Sequence, residues 1–117
     1  MILVVQGNKS FNDYSVFLNA MGTAMFKMDK EDKSIDIYAA GPWRVNDMAM
    51  EFAGVAERDL KSRGIRIQFR KVPTSWIKEN AHSIDHFAYF AARKEVLPPI
   101  VNFVEAKADI IPEVYRF

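Results

Sequence analysis

Apolar residues in this chain come in two textures, short unbroken runs and longer stretches in which they recur every third or fourth position. Residues 2–5 form an unbroken branched run, the pattern of a central strand covered on both faces of a parallel sheet. A polar turn, 6–10, follows, and Asn12 or Asp13 is placed to cap a helix whose apolar positions are Tyr14, Phe17, Leu18, Met21, Met25 and Met28. Gly22 is a tolerated weakness in it, and 29–33 is a charged, solvated connection. The next run, 34–39, predicts a second strand.

A second helix is predicted over 43–63, with Val45, Met48, Ala49, Phe52, Ala53, Ala56 and Leu60 on one stripe and Gly64 as its stop. Glu57 and Lys61 form an i,i+4 pair on its outer face. Alternation over 65–69 predicts a third strand near the sheet edge, with one face partly wet. Residues 76–80 make about one helical turn. Ile84, Phe87, Ala88 and Ala91 then recur at helical spacing, so a helix is expected from about Ser83, ended by Pro98 and Pro99. A fourth strand is expected over 100–104, and the tail from Ala106 should pack as a short element, since Pro112 opposes a long helix.

Strands alternating with helices across short connections imply an α/β fold: a three-layer, Rossmann-like architecture with a mainly parallel sheet of four to five strands. At 117 residues the chain fits a single domain. Ligands in such sheets sit beyond the carboxyl ends of the strands, here 7–10, 41–47 and 71–76.

Charge and composition mainly exclude. Sixteen basic against fifteen acidic side chains leave +1, which supplies no field for nucleic acid or an anionic membrane. With no cysteine, disulfides, cysteine-ligated zinc and thiol catalysis are ruled out. The five-residue apolar opening has neither a basic leader nor a small-residue cleavage site, so it reads as a strand and not as a signal or a membrane span. His82 and His86 stand at i,i+4, a metal spacing if both lie on one helix, but no third ligand has an obvious source, so no metal and no cofactor is expected. No Gly-x-Ser-x-Gly elbow surrounds any serine.

The stretch with most chemistry in it is Gly41-Pro-Trp-Arg44-Val-Asn-Asp47, where a strand ends in a glycine and a helix begins. That arrangement points backbone N–H groups and a positive dipole end at an anion. Arg44 adds a forked cation for a phosphate and Asp47 an acceptor for a sugar hydroxyl; the plain alternative is a first-turn acid serving the helix dipole beside a surface arginine. Asn8 and Lys9 occupy the first turn, where asparagine tolerates left-handed backbone and lysine reaches a phosphate. Trp43 and Trp76 offer flat area for a base, or else plug the site. Of Arg93 and Glu95, two apart on the expected helix, Arg93 is the one turned to the pocket.

Four signposts in order also resemble a family. Leu3-Val-Val-Gln-Gly7-Asn-Lys9-Ser-Phe11-Asn12-Asp13-Tyr14 is similar to the strand, Thr-Gly-Ser-Arg turn and Phe-x-Asp-Tyr opening of the small SLOG-type Rossmann-like proteins of the YspA-like branch. Gly41, Arg44 and Asp47 match the first glycine, the arginine and the aspartate of their Gly-Gly-Ala-Arg-Gly-Ala-Asp loop. Pro73-Thr-Ser-Trp76 resembles Pro-Ala-Asp-Trp, and Arg93-Lys-Glu95-Val-Leu97 resembles Arg-Asn-Arg-Glu-Met. The resemblance implies binding of a nucleotide or nucleotide-derived sugar phosphate, ADP-ribose-like or a nucleoside phosphate, by a sensor, sequestering or regulatory protein. The matched positions are Gly7, Asn8, Lys9, Gly41, Arg44, Asp47 and Arg93.

The departures are specific: Trp43 and Val45 stand where the family loop is flexible, 104–109 holds no glycine, and the Pro-Gly-Gly-x-Gly-Thr motif of the phosphoribohydrolase branch is missing. Two further readings stand beside binding. One is cleavage of an N-glycosidic bond with Asp47 or Glu95 steering water; the other is a protein-binding inhibitor built on a degenerate nucleotide fold. Shortened relatives of this kind occur in phages, which makes the cytoplasm of a bacterium or an infected cell the expected setting. The tail's aromatic residues serve either a homodimer or the closing of the core.

Overall fold

The computed structural model describes residues 1–117. The opening apolar run extends into a strand, β1 (Ile2–Gly7), flanked on both sides by other strands. Helix α1 (Tyr14–Phe26) is started by Asp13, whose carboxylate accepts from the backbone N–H groups of Ser15 and Val16. Strand β2 (Ser34–Ala39), helix α2 (Trp43–Ser62) and edge strand β3 (Arg66–Lys71) follow as their periodicity predicts. Along β3 the exposed Arg66, Gln68 and Arg70 alternate with Ile67 and Phe69, which pack inward.

The second half departs from the expected order of elements. A short helix, α3 (Thr74–Asn80), and a single 3-10 turn lead into a strand, β4 (His86–Ala91), where a helix was expected. Pro98 and Pro99 open helix α4 (Pro99–Ala108), where a strand was expected. The prolines begin an element and do not end one, because proline at the first helical position lacks only an N–H that has no partner there. The chain closes with β5 (Glu113–Arg116), in the segment expected to pack as a short element. Tyr115 within it and Phe117 just after it pack against Phe90 and Phe11, with ring centroids 5.6 and 5.2 Å apart.

All five strands are parallel, in the order β3-β2-β1-β4-β5. This is a three-layer α/β arrangement of the Rossmann type. Alternate residues feed two cores. Leu3, Val5, Ile37, Ala88 and Phe90 meet Phe17, Met21, Val45 and Ala49 of α1 and α2 on one face. Val4, Phe87, Tyr89 and Ala91 meet Ile77 of α3 and Ile100, Val101 and Val104 of α4 on the other. No helix is long and apolar enough to cross a membrane.

Candidate functional site

The first two crossovers run from β1 toward β3, and the last two run the other way, so the strand order reverses between β1 and β4. The two strands stay paired to Gly7 and Phe90, but the chain leaves them toward opposite faces, to α1 and to α4, which opens a crevice beyond their carboxyl ends in sheets of this kind. A cleft of about 460 Å³ occupies that place, lined by Gln6 and Gly7 of β1, Thr74 and Lys78 of α3, Tyr89 of β4, and Pro98, Pro99, Ile100 and Phe103 at the start of α4. Lys78 is its one charged lining residue. Gly7 is required by packing: a Cβ there would lie 3.0 Å from Phe90 Cβ and 3.2 Å from Val45 Cγ2. The Gln6 amide nitrogen donates to the Ala40 carbonyl (3.2 Å) and to Thr74 Oγ1 (3.0 Å). A carbonyl only accepts, so the amide orientation is fixed, and Gln6 Oε1 is left buried without a donor.

The rim is held by Glu95. Its Oε1 accepts from Asn8 Nδ2 and from the Ala92 backbone N–H, both at 2.9 Å, and its Oε2 from the Tyr89 hydroxyl at 2.7 Å. Burial opposes the charge of Glu95, but the bonds from Tyr89, Ala92 and Asn8, with Arg116 nearby, outweigh it and hold the carboxyl below its ordinary value. Burial and the same carboxylate push the Tyr89 hydroxyl well above the usual phenol range. Asn8 is committed as well, since its Oδ1 accepts from the Ser10 N–H and hydroxyl. Arg116 closes the rim by donating to the carbonyls of Ala92 and Glu95, each at 2.9 Å. Arg93 and Glu95 therefore lie on the loop after β4, not on a helix, and the exposed Arg93 contributes its carbonyl to Arg116.

The second turn does meet the first: the Gly7 N–H donates to the Gly41 carbonyl at 3.2 Å. Gly41, at φ +86°, gives its own N–H to Asn46 Oδ1, so this backbone is already used within the chain. The single hollow expected from the sequence is instead two. Trp43, Arg44 and Asp47 line a separate shallow groove of about 230 Å³ with Asn12, Tyr14, Met48 and Glu51, on the α1–α2 side. Trp43 is 66% exposed and carries the Arg44 guanidinium over its ring at 5.0 Å, so it plugs nothing. Trp76 is stacked on Tyr38 with ring centroids 4.1 Å apart, and Lys9 is exposed.

Of the residues singled out from the sequence, Gly7 lines the cleft, and Asn8 and Glu95 brace its rim. Thr74 falls in the 71–76 segment expected beyond a strand end, whereas Gln6, Lys78, Tyr89 and the α4 residues were not singled out, and Pro98-Pro99 read as a helix start was the signal that would have found the last group. His82 and His86 share no helical face, because His86 begins β4 and is buried. No cluster of three or more His, Cys, Asp or Glu side chains could hold a metal ion. Protein-family models, curated proteins and solved structures give no match to this chain.

Proposed function

We propose that this protein binds a nucleotide-derived anion, a nucleoside phosphate or an ADP-ribose-like molecule, in the cleft between β1 and β4, as a sensor or sequestering protein. The observation that carries the reading is the cleft's composition: one cation, Lys78, at a crevice otherwise neutral, with the apolar and aromatic Ile100, Phe103 and Tyr89 beside it. A ligand suited to this lining has a flat, weakly polar part and a negative part. Lys78 takes the phosphate as a point charge, and Gln6 Oε1 has an unmet need that a hydroxyl or amino donor fulfils. The ordered resemblance to small SLOG-type proteins agrees with this ligand class. No bond cleavage is assigned, because neither Asp47 nor Glu95 lines the cleft.

Isothermal titration against nucleoside mono- and diphosphates and ADP-ribose tests the reading. At least one should bind, Lys78→Met should weaken it by about tenfold, equivalent to about 1.4 kcal/mol, and Arg44→Met should leave it unchanged. Absence of heat from every member with folded protein would overturn it.

A further inference from the structure

We propose that two copies of this chain pair through the solvent face of α2, antiparallel about Gly54. The face is unusual first for what is exposed on it. Trp43 is 66% and Met50 56% exposed, and helical spacing puts both on the same side as Gly54. Gly54 is the second observation. It sits inside a 20-residue helix, exposed, and a Cβ built on it would meet nothing within 4 Å. Glycine at such a place costs about 1 kcal/mol against alanine, and nothing within the chain is gained in return. A second helix approaching closely gives the missing methyl a purpose.

Charge then chooses the partner and its direction. Asp47, Glu51, Gly54, Arg58 and Lys61 follow steps of four, three, four and three, which keeps them on one line along the helix. The line is acidic before Gly54 and basic after it. None of the four charged members enters an ion pair within the chain, and the Glu57–Lys61 pair expected from its spacing does not form, whereas Asp59, off that line, is already paired with Arg63 at 2.7 Å. A parallel copy would set like on like. An antiparallel copy centred at Gly54 sets Asp47 against the partner's Lys61 and Glu51 beside the partner's Arg58, twice over by the twofold symmetry. The surface is therefore complementary to itself in one orientation. It lies on the α1–α2 side of the sheet, so pairing leaves the β1–β4 cleft open and stands or falls independently of the ligand reading.

Sedimentation velocity tests this with two exposed substitutions, circular dichroism confirming that each variant is folded. Wild-type protein at about 100 µM, a concentration that populates even a weak interface, should sediment as a dimer. Glu51→Arg and Arg58→Glu should each sediment as a monomer, because each homodimer then holds two like-charge contacts. An equimolar mixture of the two variants should return to the dimer, since both contacts across that pairing are again between opposite charges. A monomeric wild type, variants that stay dimeric, or a mixture that stays monomeric would each overturn the proposal.

Discussion

Two glycines with opposite surroundings show how much a single side chain decides. At Gly7 the backbone passes so close to Phe90 and Val45 that a methyl would sit 3.0 to 3.2 Å from them and force these neighbours to give way. Gly7→Ala is expected to cost about 1–3 kcal/mol in urea unfolding, the usual range for overpacking. At Gly54 the space is open, so Gly54→Ala should raise the stability of dilute, unpaired protein by about 0.5–1 kcal/mol. Glu95 is the third residue of this kind, a carboxylate with three donors aimed at it. Glu95→Ala removes the acceptor all three share and should cost about 1–3 kcal/mol at pH 7. Because its folded-state pKa lies below the ordinary 4.5, that contribution is present above this pH and fades as pH falls through the lower, folded value. Urea curves of wild type and variant should therefore converge in acid; a gap of constant size would mean that packing, and not charge, holds the rim.

Elements were legible wherever periodicity had one interpretation. The alternation in β3 and the stripe from Val45 to Leu60 in α2 fit no other geometry. From Ile84 to Val104 the pattern had two. His86–Ala91 is buried on both faces of the sheet, so every position is lipophilic or enclosed and the period that separates strand from helix is erased. The apolar start of α4 had the same ambiguity, and reading its two prolines as a stop exchanged both elements while preserving the fold class. The cleft was hidden for the same reason: Tyr89 and Ile100 belong to the exchanged elements, and Lys78 acquires meaning only once α3 lies beside β1. Helix α4 also carries a local strain that no pattern reveals. It ends at Asp109 in left-handed backbone, φ 56° and ψ 44°, with a negative charge at the negative end of the helix dipole. Asp109→Gly should relieve both and stabilise by about 1 kcal/mol, read as a rise of a few degrees in Tm; an unchanged or lower Tm would show that the aspartate is held there by something else.

At the scale of the whole molecule the sheet separates two ends of different chemistry. The carboxyl ends gather the cleft and its lysine, while the amino ends gather Lys27, Asp29, Asp32 and Asp85 around His86, with Glu113 of β5 close by. His86 is 6% exposed and its Nε2 has no partner. Burial is the main force holding it neutral, Lys27 adds to that, and Glu113 opposes it; the net effect is a pKa below the ordinary 6.5. The unfolded chain thus takes up a proton at a higher pH than the folded one. Stability is full above about pH 7 and falls as pH drops through 6.5 toward the folded value, by at most about 1.4 kcal/mol per pH unit for one proton. His86→Gln fills similar space without a titrating group, so its Tm should be flat between about pH 7 and the folded pKa while the wild type declines. If the variant declines as steeply, the acid sensitivity originates in the surrounding carboxylates and not in the imidazole. A loss confined to this window would place the molecule's most pH-responsive point at the amino edge of β4, at the opposite end of the strands from the cleft lined by Lys78.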